Sequence, residues 1–229
     1  MQMDPDNNYI KAILTHATLT DALVLEIGCG AGRMTRDLAG HAGRIIAVDP
    51  DLKALESARR SVASVNVEFL HSPDGLADFP GGTFDLAIYT LSLHHIPAGK
   101  MLPHLQHTAE LVKHQGRIIV IEPGEHGSFL EIKKRFRAGS GDEGPEKQAA
   151  IRAMQILPGW SMSKTHHFEV AFQFADENDF FQSKLPEYQT LPAGEVAEIR
   201  RFLAMHRTAR GILLHSERHL NVLTRSGSG

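Results

Sequence analysis

Short apolar runs alternate with longer amphipathic stretches along the first half of the chain. Runs rich in Val, Ile, Leu and Phe predict five buried β-strands, at residues 23–27, 44–48, 65–69, 84–89 and 117–121. Apolar residues at helical spacing predict helices at residues 9–17, 34–39, 52–62 and 101–112. Because strands and helices alternate this regularly, we expect a parallel sheet covered by helices on both faces.

The pattern changes in the second half of the chain. Residues 124–159 are richer in Gly, Lys, Arg and Glu, and two helical segments, 129–137 and 146–157, are separated by a break at 139–141. We interpret this region as a helical insertion after the fifth strand, placed as a lid over one end of the sheet. Alternating apolar positions predict late strands at 167–174 and 211–223, and helical spacing predicts helices at 177–184 and 193–206.

These elements predict an α/β fold, with a doubly wound and mostly parallel sheet of seven strands. The two late strands are expected to form an antiparallel C-terminal edge. The predicted regions are a ligand-binding core at 1–123, the insertion at 124–163, the C-terminal completion of the sheet at 164–225, and a flexible tail or cloning remnant at 226–229.

Composition narrows the class of protein. The chain has 229 residues, of which 42% are hydrophobic and 22% charged, as in globular domains. A formal net charge of −3 gives no overall reason to expect a polyanion as partner. Cys29 is the single cysteine, so an internal disulfide is excluded. The N-terminus resembles no signal peptide and no apolar run reaches the ~20 residues of a membrane span, so we expect a cytoplasmic protein.

The most informative segment joins the first predicted strand to the helix that follows it. Gly28, Gly30 and Gly32 allow a tight turn and the close approach of a ligand. A dinucleotide fingerprint has the spacing G-x-G-x-x-G, whereas the third glycine here comes one residue early and an acid, Glu26, precedes the first. An acid at this place repels phosphates and suits a cationic ligand, which argues against a nicotinamide cofactor.

A second acidic residue, Asp49, ends the second predicted strand. An acid at this place in a βαβ unit can accept hydrogen bonds from both hydroxyls of a ribose. The alternative is that Asp49 caps the next helix, but Asp51 is better placed for that role.

These motifs together resemble a known family. Residues 26–32, residues 47–49 and the Thr-Phe-Asp-Leu-Ala segment at 83–87 resemble the class I S-adenosylmethionine-dependent methyltransferases, especially the small-molecule branch. The resemblance extends over about residues 9–122. It implies a Rossmann-like fold, S-adenosylmethionine as cofactor, and transfer of a methyl group to a small-molecule acceptor.

The resemblance also implies roles for individual residues. Glu26 and the glycine backbone would hold the methionine part of the cofactor, and Asp49 its ribose. An acid after the third strand usually meets the adenine amine; Pro73 takes that place here, and Asp74 is the candidate. The expected cofactor-binding residues are Glu26, Gly28, Cys29, Gly30, Gly32, Asp49, Pro50, Asp74, Gly75, Leu76 and Thr90.

The acceptor side is expected at the ends of the fourth and fifth strands. Residues 90–97 resemble a Leu-His-His-like stretch that lines the methyl acceptor in many small-molecule methyltransferases, so His94 or His95 is the candidate base. Alternatively, one histidine caps a helix and the other packs under the sheet. The expected substrate contacts are Tyr9, His94, Glu122, His126 and Trp160. A surface turn is the alternative for Glu122 and His126, and a core position for Trp160.

Other functions remain open at this point. The chain has 14 histidines, but none is spaced as H-x-x-x-H with a nearby acid on a helix, so we expect no metal site. A nucleic-acid methyltransferase and a non-catalytic relative that keeps the cofactor pocket are the alternatives to a small-molecule enzyme. A homodimer is a further prediction that the sequence leaves open.

Overall fold

A computed structural model describes residues 1–138 and 143–227. The predicted break at 139–141 and the last two residues of the predicted tail lie outside this part of the chain. The described strands are β1 (Gln2–Met3), β2 (Leu23–Ile27), β3 (Arg44–Asp49), β4 (Val67–His71), β5 (Phe84–Thr90), β6 (Val112–Pro123), β7 (Trp160–Met162), β8 (His166–Phe174), β9 (Arg207–Thr208) and β10 (Gly211–Arg225). The described α-helices are α1 (Asn8–His16), α2 (Arg33–Ala39), α3 (Leu52–Ser61), α4 (Ala98–Leu111), α5 (Ser128–Phe136), α6 (Gly144–Gln155), α7 (Glu177–Lys184) and α8 (Ala193–Met205).

The seven predicted strands are all present, as β2 to β6, β8 and β10. The prediction missed β1, β7 and β9, which have only two or three residues each and are too short to show an alternating pattern. It also began the fifth long strand five residues late, because polar residues occupy the start of β6. No described helix is long and apolar enough to cross a membrane.

The chain divides into two compact units, each formed by three segments of the sequence. The first unit contains Met1–Tyr9, Pro123–Glu143 and His167–Arg218. The second unit contains Ile10–Glu122, Gly144–His166 and His219–Gly229. Of the two helices predicted within the insertion, α5 belongs to the first unit and α6 to the second.

A parallel sheet forms the centre of the second unit. Its strands lie in the order β6-β5-β2-β3-β4, and the pairs of β2 with β3, β2 with β5, β3 with β4, and β5 with β6 are parallel. The end of β10 pairs antiparallel with β7, one of the short strands that the prediction missed. Since neighbouring strands are parallel, their carboxyl ends meet at one edge, where ligands of open α/β sheets bind.

Apolar side chains from the strands and helices of the second unit form its core. Helix α6, predicted as part of a lid, packs on α4 and adds Ala150, Ala153 and Met154 to this core. Burying each large aliphatic side chain contributes about 1.5–3 kcal/mol, so these contacts hold the carboxyl edge of the sheet in place. Further core members are Leu25, Ile27, Val48, Tyr89, Val120, Met101, Leu105, Trp160 and Leu223.

The first unit has its own aromatic core. Strand β1 pairs antiparallel with β8. The ring of Phe129 on α5 stacks on Phe172 of β8, with centroids 3.9 Å apart. Phe174 also contacts Phe180 of α7, at 5.1 Å between centroids. The alternating phenylalanines that predicted a strand at 167–174 therefore serve as the packing surface for helices.

Candidate active site

Three polar side chains share one face of the second unit's sheet near its carboxyl edge. Glu26 of β2 lies beside Ala47 of β3 and Ile88 of β5 in the register of the sheet. Because side chains alternate between faces, the residues two positions further on, Asp49 and Thr90, lie on the same face as Glu26. The sheet therefore brings together three residues that were predicted to hold a cofactor.

The glycine loop is tied to β3, and two of its glycines serve different purposes. The amides of Gly28 and Cys29 both donate hydrogen bonds to the carbonyl of Val48, at 2.9 and 3.1 Å. Gly28 has a φ of +75°, and a Cβ there would lie 2.4 Å from Cβ of Ser92. At Gly30, with φ of +54°, a Cβ would meet no described atom within 4 Å. Gly28 thus allows close packing, while Gly30 leaves one side of the loop open to a ligand.

The carboxylate of Asp49 fixes the backbone of the glycine loop through hydrogen bonds. Its Oδ2 accepts the amide of Gly30 at 2.7 Å, and its Oδ1 accepts the amide of Asp51 at 2.8 Å. Asp51 is the residue that caps α3, accepting hydrogen bonds from the amides of Lys53 and Ala54, so that prediction is confirmed. Each carboxylate oxygen has more than one lone pair, so Asp49 retains capacity to accept ligand hydroxyls.

Glu26 is a buried carboxyl group with an unsatisfied oxygen. Its side chain is 1% exposed, and burial raises its pKa from the usual 4.5 to about 7. Its Oε2 is buried and has no hydrogen-bond partner in the described part of the chain, and the same holds for Oγ1 of Thr90. Leaving such a group unsatisfied costs about 1–3 kcal/mol, which a ligand carrying N–H donors or positive charge would recover.

The loop after β4 carries the candidate adenine contacts. Oδ1 of the exposed Asp74 accepts hydrogen bonds from the Ser72 hydroxyl at 2.8 Å and from the Leu76 amide at 3.1 Å. These bonds, the one from Ser72 most of all, lower the pKa of Asp74. His107 of α4 donates from Nε2 to the carbonyl of Ala77 at 2.7 Å and so ties the loop to the helix.

A buried polar cluster next to this loop was not predicted from the sequence. The Tyr89 hydroxyl lies 2.8 Å from Nδ1 of His104 and 2.7 Å from Oγ1 of Thr108. A Cβ on Gly75, which has φ of +75°, would lie 3.3 Å from Nε2 of His104. Burial lowers the pKa of His104. The i, i+4 spacing of His104 and Thr108 on an amphipathic helix was the available signal, but it does not identify Tyr89 as their partner.

His94 and Glu122, predicted separately, form a buried pair. Both are 4% exposed. Nδ1 of His94 donates to Oε2 of Glu122, and the His94 amide donates to Oε1 at 3.3 Å. His95 is exposed, and its ring centroid lies 4.1 Å from that of His94. Because Nδ1 carries the hydrogen that is donated to the carboxylate, Nε2 is the ring nitrogen left with a free lone pair.

Three other predicted cofactor contacts have visible structural roles. Cys29 is buried, and burial raises the pKa of its thiol. Gly32, with φ of +80°, precedes α2, and a Cβ there would lie 2.9 Å from Cγ2 of Val62. Pro50 is exposed, and its carbonyl accepts a hydrogen bond from Nε2 of His71 at 3.1 Å.

The remaining predicted substrate contacts are Tyr9, His126 and Trp160, and each is described within its own unit. Tyr9 belongs to the first unit, where it is fully buried and its hydroxyl accepts a hydrogen bond from Nε of Arg218. His126, also in the first unit, lines a cavity of about 650 Å³. Trp160 is a core residue of the second unit, with the Arg225 guanidinium 4.9 Å from its ring centroid. Their roles toward a substrate stay predictions.

Comparison with known proteins agrees with this geometry. Residues 24–116 match a family model described as a methyltransferase domain. An uncharacterised methyltransferase of Mycobacterium bovis is 34% identical over 73 residues, covering 32% of this chain and 37% of that protein. A ubiquinone biosynthesis O-methyltransferase of Thiobacillus denitrificans is 34% identical over 92 residues, covering 38% of this chain and 39% of that protein. The chain therefore matches less than two fifths of the length of either relative.

A solved structure shows the same fold over nearly the whole chain. It is provisionally named a type II methyltransferase, from Anaeromyxobacter dehalogenans, and has a TM-score of 0.66 at 16% identity, covering 98% of this chain and 97% of its own. Residues 24–116 thus match a methyltransferase domain, and the chain as a whole shares the fold of this solved structure.

Proposed function

We propose that the protein is an enzyme that transfers a methyl group from S-adenosylmethionine to a small-molecule acceptor. One observation carries this proposal. A glycine loop fixed by hydrogen bonds and the buried, unsatisfied carboxyl group of Glu26 both lie at the carboxyl edge of the sheet. When bound, S-adenosylmethionine supplies an electrophilic methyl group on a sulfonium.

The residues present fit the parts of this cofactor. The open side of Gly30 lets the ligand approach the backbone, and Asp49 accepts the ribose hydroxyls. Glu26 accepts the ammonium group of the methionine part and gains the partner that Oε2 lacks among the described residues. Asp74, held in an ionised state by Ser72, accepts the adenine amine.

His94 is the proposed base on the acceptor side. Glu122 fixes the ring by accepting a hydrogen bond from Nδ1–H, so that Nε2 takes the proton of the acceptor oxygen as that oxygen bonds to the methyl carbon and the carbon–sulfur bond breaks. A positioned base contributes about 10²–10⁴-fold to a rate, and orientation of the acceptor contributes separately. His95 is the other candidate base, and it differs from His94 in being exposed.

The acceptor class proposed is a small molecule with a nucleophilic hydroxyl group. The name of the Thiobacillus relative refers to O-methylation, and a histidine base has its greatest use when the acceptor must lose a proton. The net charge of −3 supports a small molecule over a nucleic acid. The cytoplasmic location and the homodimer stay predictions.

Calorimetric titration with S-adenosylhomocysteine and S-adenosylmethionine tests the proposal. We expect both to bind the wild-type protein and NAD not to bind. Asp49→Ala should weaken binding about 10–100-fold, because a hydrogen bond to a charged group contributes about 1.5–3 kcal/mol. Asp51→Ala is the matched control, since it removes a neighbouring carboxylate that caps a helix and should leave affinity unchanged.

Three outcomes would contradict parts of the proposal. Binding of NAD with no binding of the sulfur ligands would refute the cofactor. Cofactor binding without release of homocysteine product from any acceptor class would favour a non-catalytic relative. Salt-dependent binding of RNA or DNA would favour a nucleic-acid methyltransferase.

A further inference from the structure

The second unit has a large cavity at the amino edge of its sheet, away from the candidate active site. Its volume is about 760 Å³, and its walls come from the end of α1, the start of β5 and the first half of β6. From Asp85 in this wall, β5 continues for five residues to Thr90, about 17 Å at ~3.3 Å per residue. The cavity is therefore distinct from the edge where the cofactor is proposed to bind.

The walls of this cavity carry an excess of positive charge. Arg117, Lys113, His16 and His114 line it, and Asp85 is the one carboxylate among its described lining residues. Asp85 is already engaged, since it accepts hydrogen bonds from Nζ of Lys113 at 2.7 Å and from the amide of Leu23 at 2.9 Å. Arg117 and the two histidines thus have no carboxylate partner within the described walls.

Arg117 and His16 also border a second, smaller cavity. This cavity has a volume of about 260 Å³ and is lined in addition by the hydroxyl-bearing residues Ser161, Ser163 and Thr224. The two cavities therefore share a wall built from one guanidinium and one imidazole. Planar N–H donors of this kind suit the oxygens of carboxylates and phosphates.

The surroundings of His16 also favour an anionic ligand. Its Nε2 is buried and has no hydrogen-bond partner among the described residues. Its ring lies 5.1 Å from that of His166. Burial, and after it the positive charges of His166 and Arg117, lower the pKa of His16. A guanidinium and a second imidazole therefore lie near a buried ring nitrogen that has no described hydrogen-bond partner.

The negative end of α1 does not cancel this charge. The helix ends at His16, and its last carbonyls carry partial negative charge. Arg117 donates one N–H to the His16 carbonyl and so caps this end of the helix. A guanidinium has five N–H donors, so this bond leaves further donors for a ligand.

We propose that this cavity is a binding site for a small oxyanion, either phosphate or a carboxylate, held between Arg117 and His16. The ligand accepts hydrogen bonds from the guanidinium and from Nε2 of His16 and supplies the negative charge that the walls lack. The site is separate from the proposed methyl-transfer site and does not depend on that function.

Calorimetric titration with inorganic phosphate, and separately with succinate, tests this site. We expect at least one of them to bind the full-length protein, and the one that binds identifies the ligand class. Arg117→Gln should weaken binding about 10–100-fold, the value of a charge-assisted hydrogen bond. Arg59→Gln is the matched control, because Arg59 likewise donates to a backbone carbonyl, that of Phe69, but lines neither cavity.

A second measurement keeps the test valid if Arg117→Gln folds poorly. In the wild-type protein, titration of His16 followed by NMR should show a higher pKa with the bound anion than without it, because the anion favours the protonated ring. Failure of both anions to bind, an equal loss in Arg59→Gln, or an unchanged His16 titration would overturn the proposal. Affinity for S-adenosylhomocysteine should be the same in Arg117→Gln as in wild type.

Discussion

Replacing Glu26 by glutamine should stabilise the protein at pH 8 while removing most of its affinity for the cofactor. Burial raises the pKa of this carboxyl from 4.5 to about 7 in the folded chain. At 1.36 kcal/mol per pKa unit, holding the ionised form at pH 8 costs about 3 kcal/mol. A glutamine in the same place is neutral at every pH and avoids that cost.

The pH dependence has a definite sign. Between pH 4.5 and about 7 the folded protein binds the Glu26 proton more tightly than the unfolded chain does. The free energy of unfolding contributed by this group therefore decreases as pH rises through that window and becomes constant above it. Glu26→Gln and wild type should be similarly stable near pH 4.5, with the variant gaining up to about 3 kcal/mol by pH 8.

Urea denaturation of wild type and variant at pH 5, 6, 7 and 8 measures this difference, because titrations common to both proteins cancel. Glu56→Gln, at an exposed position on α3, is the control and should give a small difference that does not change with pH. S-adenosylhomocysteine titration of the same samples measures the loss of affinity. A stability difference that is constant with pH, or a variant less stable than wild type at pH 8, would refute the reasoning.

Three further predictions concern the site and the loops around it. His94→Asn should lower kcat by about 10²–10⁴-fold, and His95→Asn should change it little, when release of the homocysteine product is measured. Equal losses of kcat in the two variants would contradict the assignment of His94 as the base. Asp51→Ala should lower the free energy of unfolding by about 1 kcal/mol through loss of the helix cap, measured in urea. Gly28→Ala should destabilise by about 1–3 kcal/mol and weaken cofactor binding, because its positive φ and the contact with Ser92 both oppose a side chain; a variant as stable as wild type would contradict this.

The elements that could be predicted from the sequence are those whose residue pattern lies within one short segment of the chain. Buried parallel strands such as β3 and β5 are short runs made mostly of apolar residues, which is the pattern of strands covered on both faces. Asp51 could be assigned as the cap of α3 because a cap is defined by its place in the sequence. Strands β7 and β9 could not be predicted, since two or three residues form a strand only through their partner in β10.

Much of the candidate site depends on contacts between distant residues. His94 and Glu122 are 28 positions apart and could each be proposed from the motif around them, but their hydrogen bond exists only because β5 and β6 are neighbours in the sheet. The cluster of Tyr89 and His104 likewise requires α4 to pack beneath β5. The cavity lined by Arg117 had no sequence signal, because its lining residues come from three separate segments of the chain.

The hydrogen bonds that Asp49 makes to Gly30 and Asp51 have a consequence for the thermodynamics of binding. Both bonds are made within the protein itself, so the loop does not depend on contacts with a ligand to fix its backbone. The heat-capacity change on binding should then match the surface buried by the ligand alone, with no added contribution from an ordering loop. Cofactor and product, which present the same adenosine surface, should for that reason bind with nearly equal heat-capacity changes even where their affinities differ.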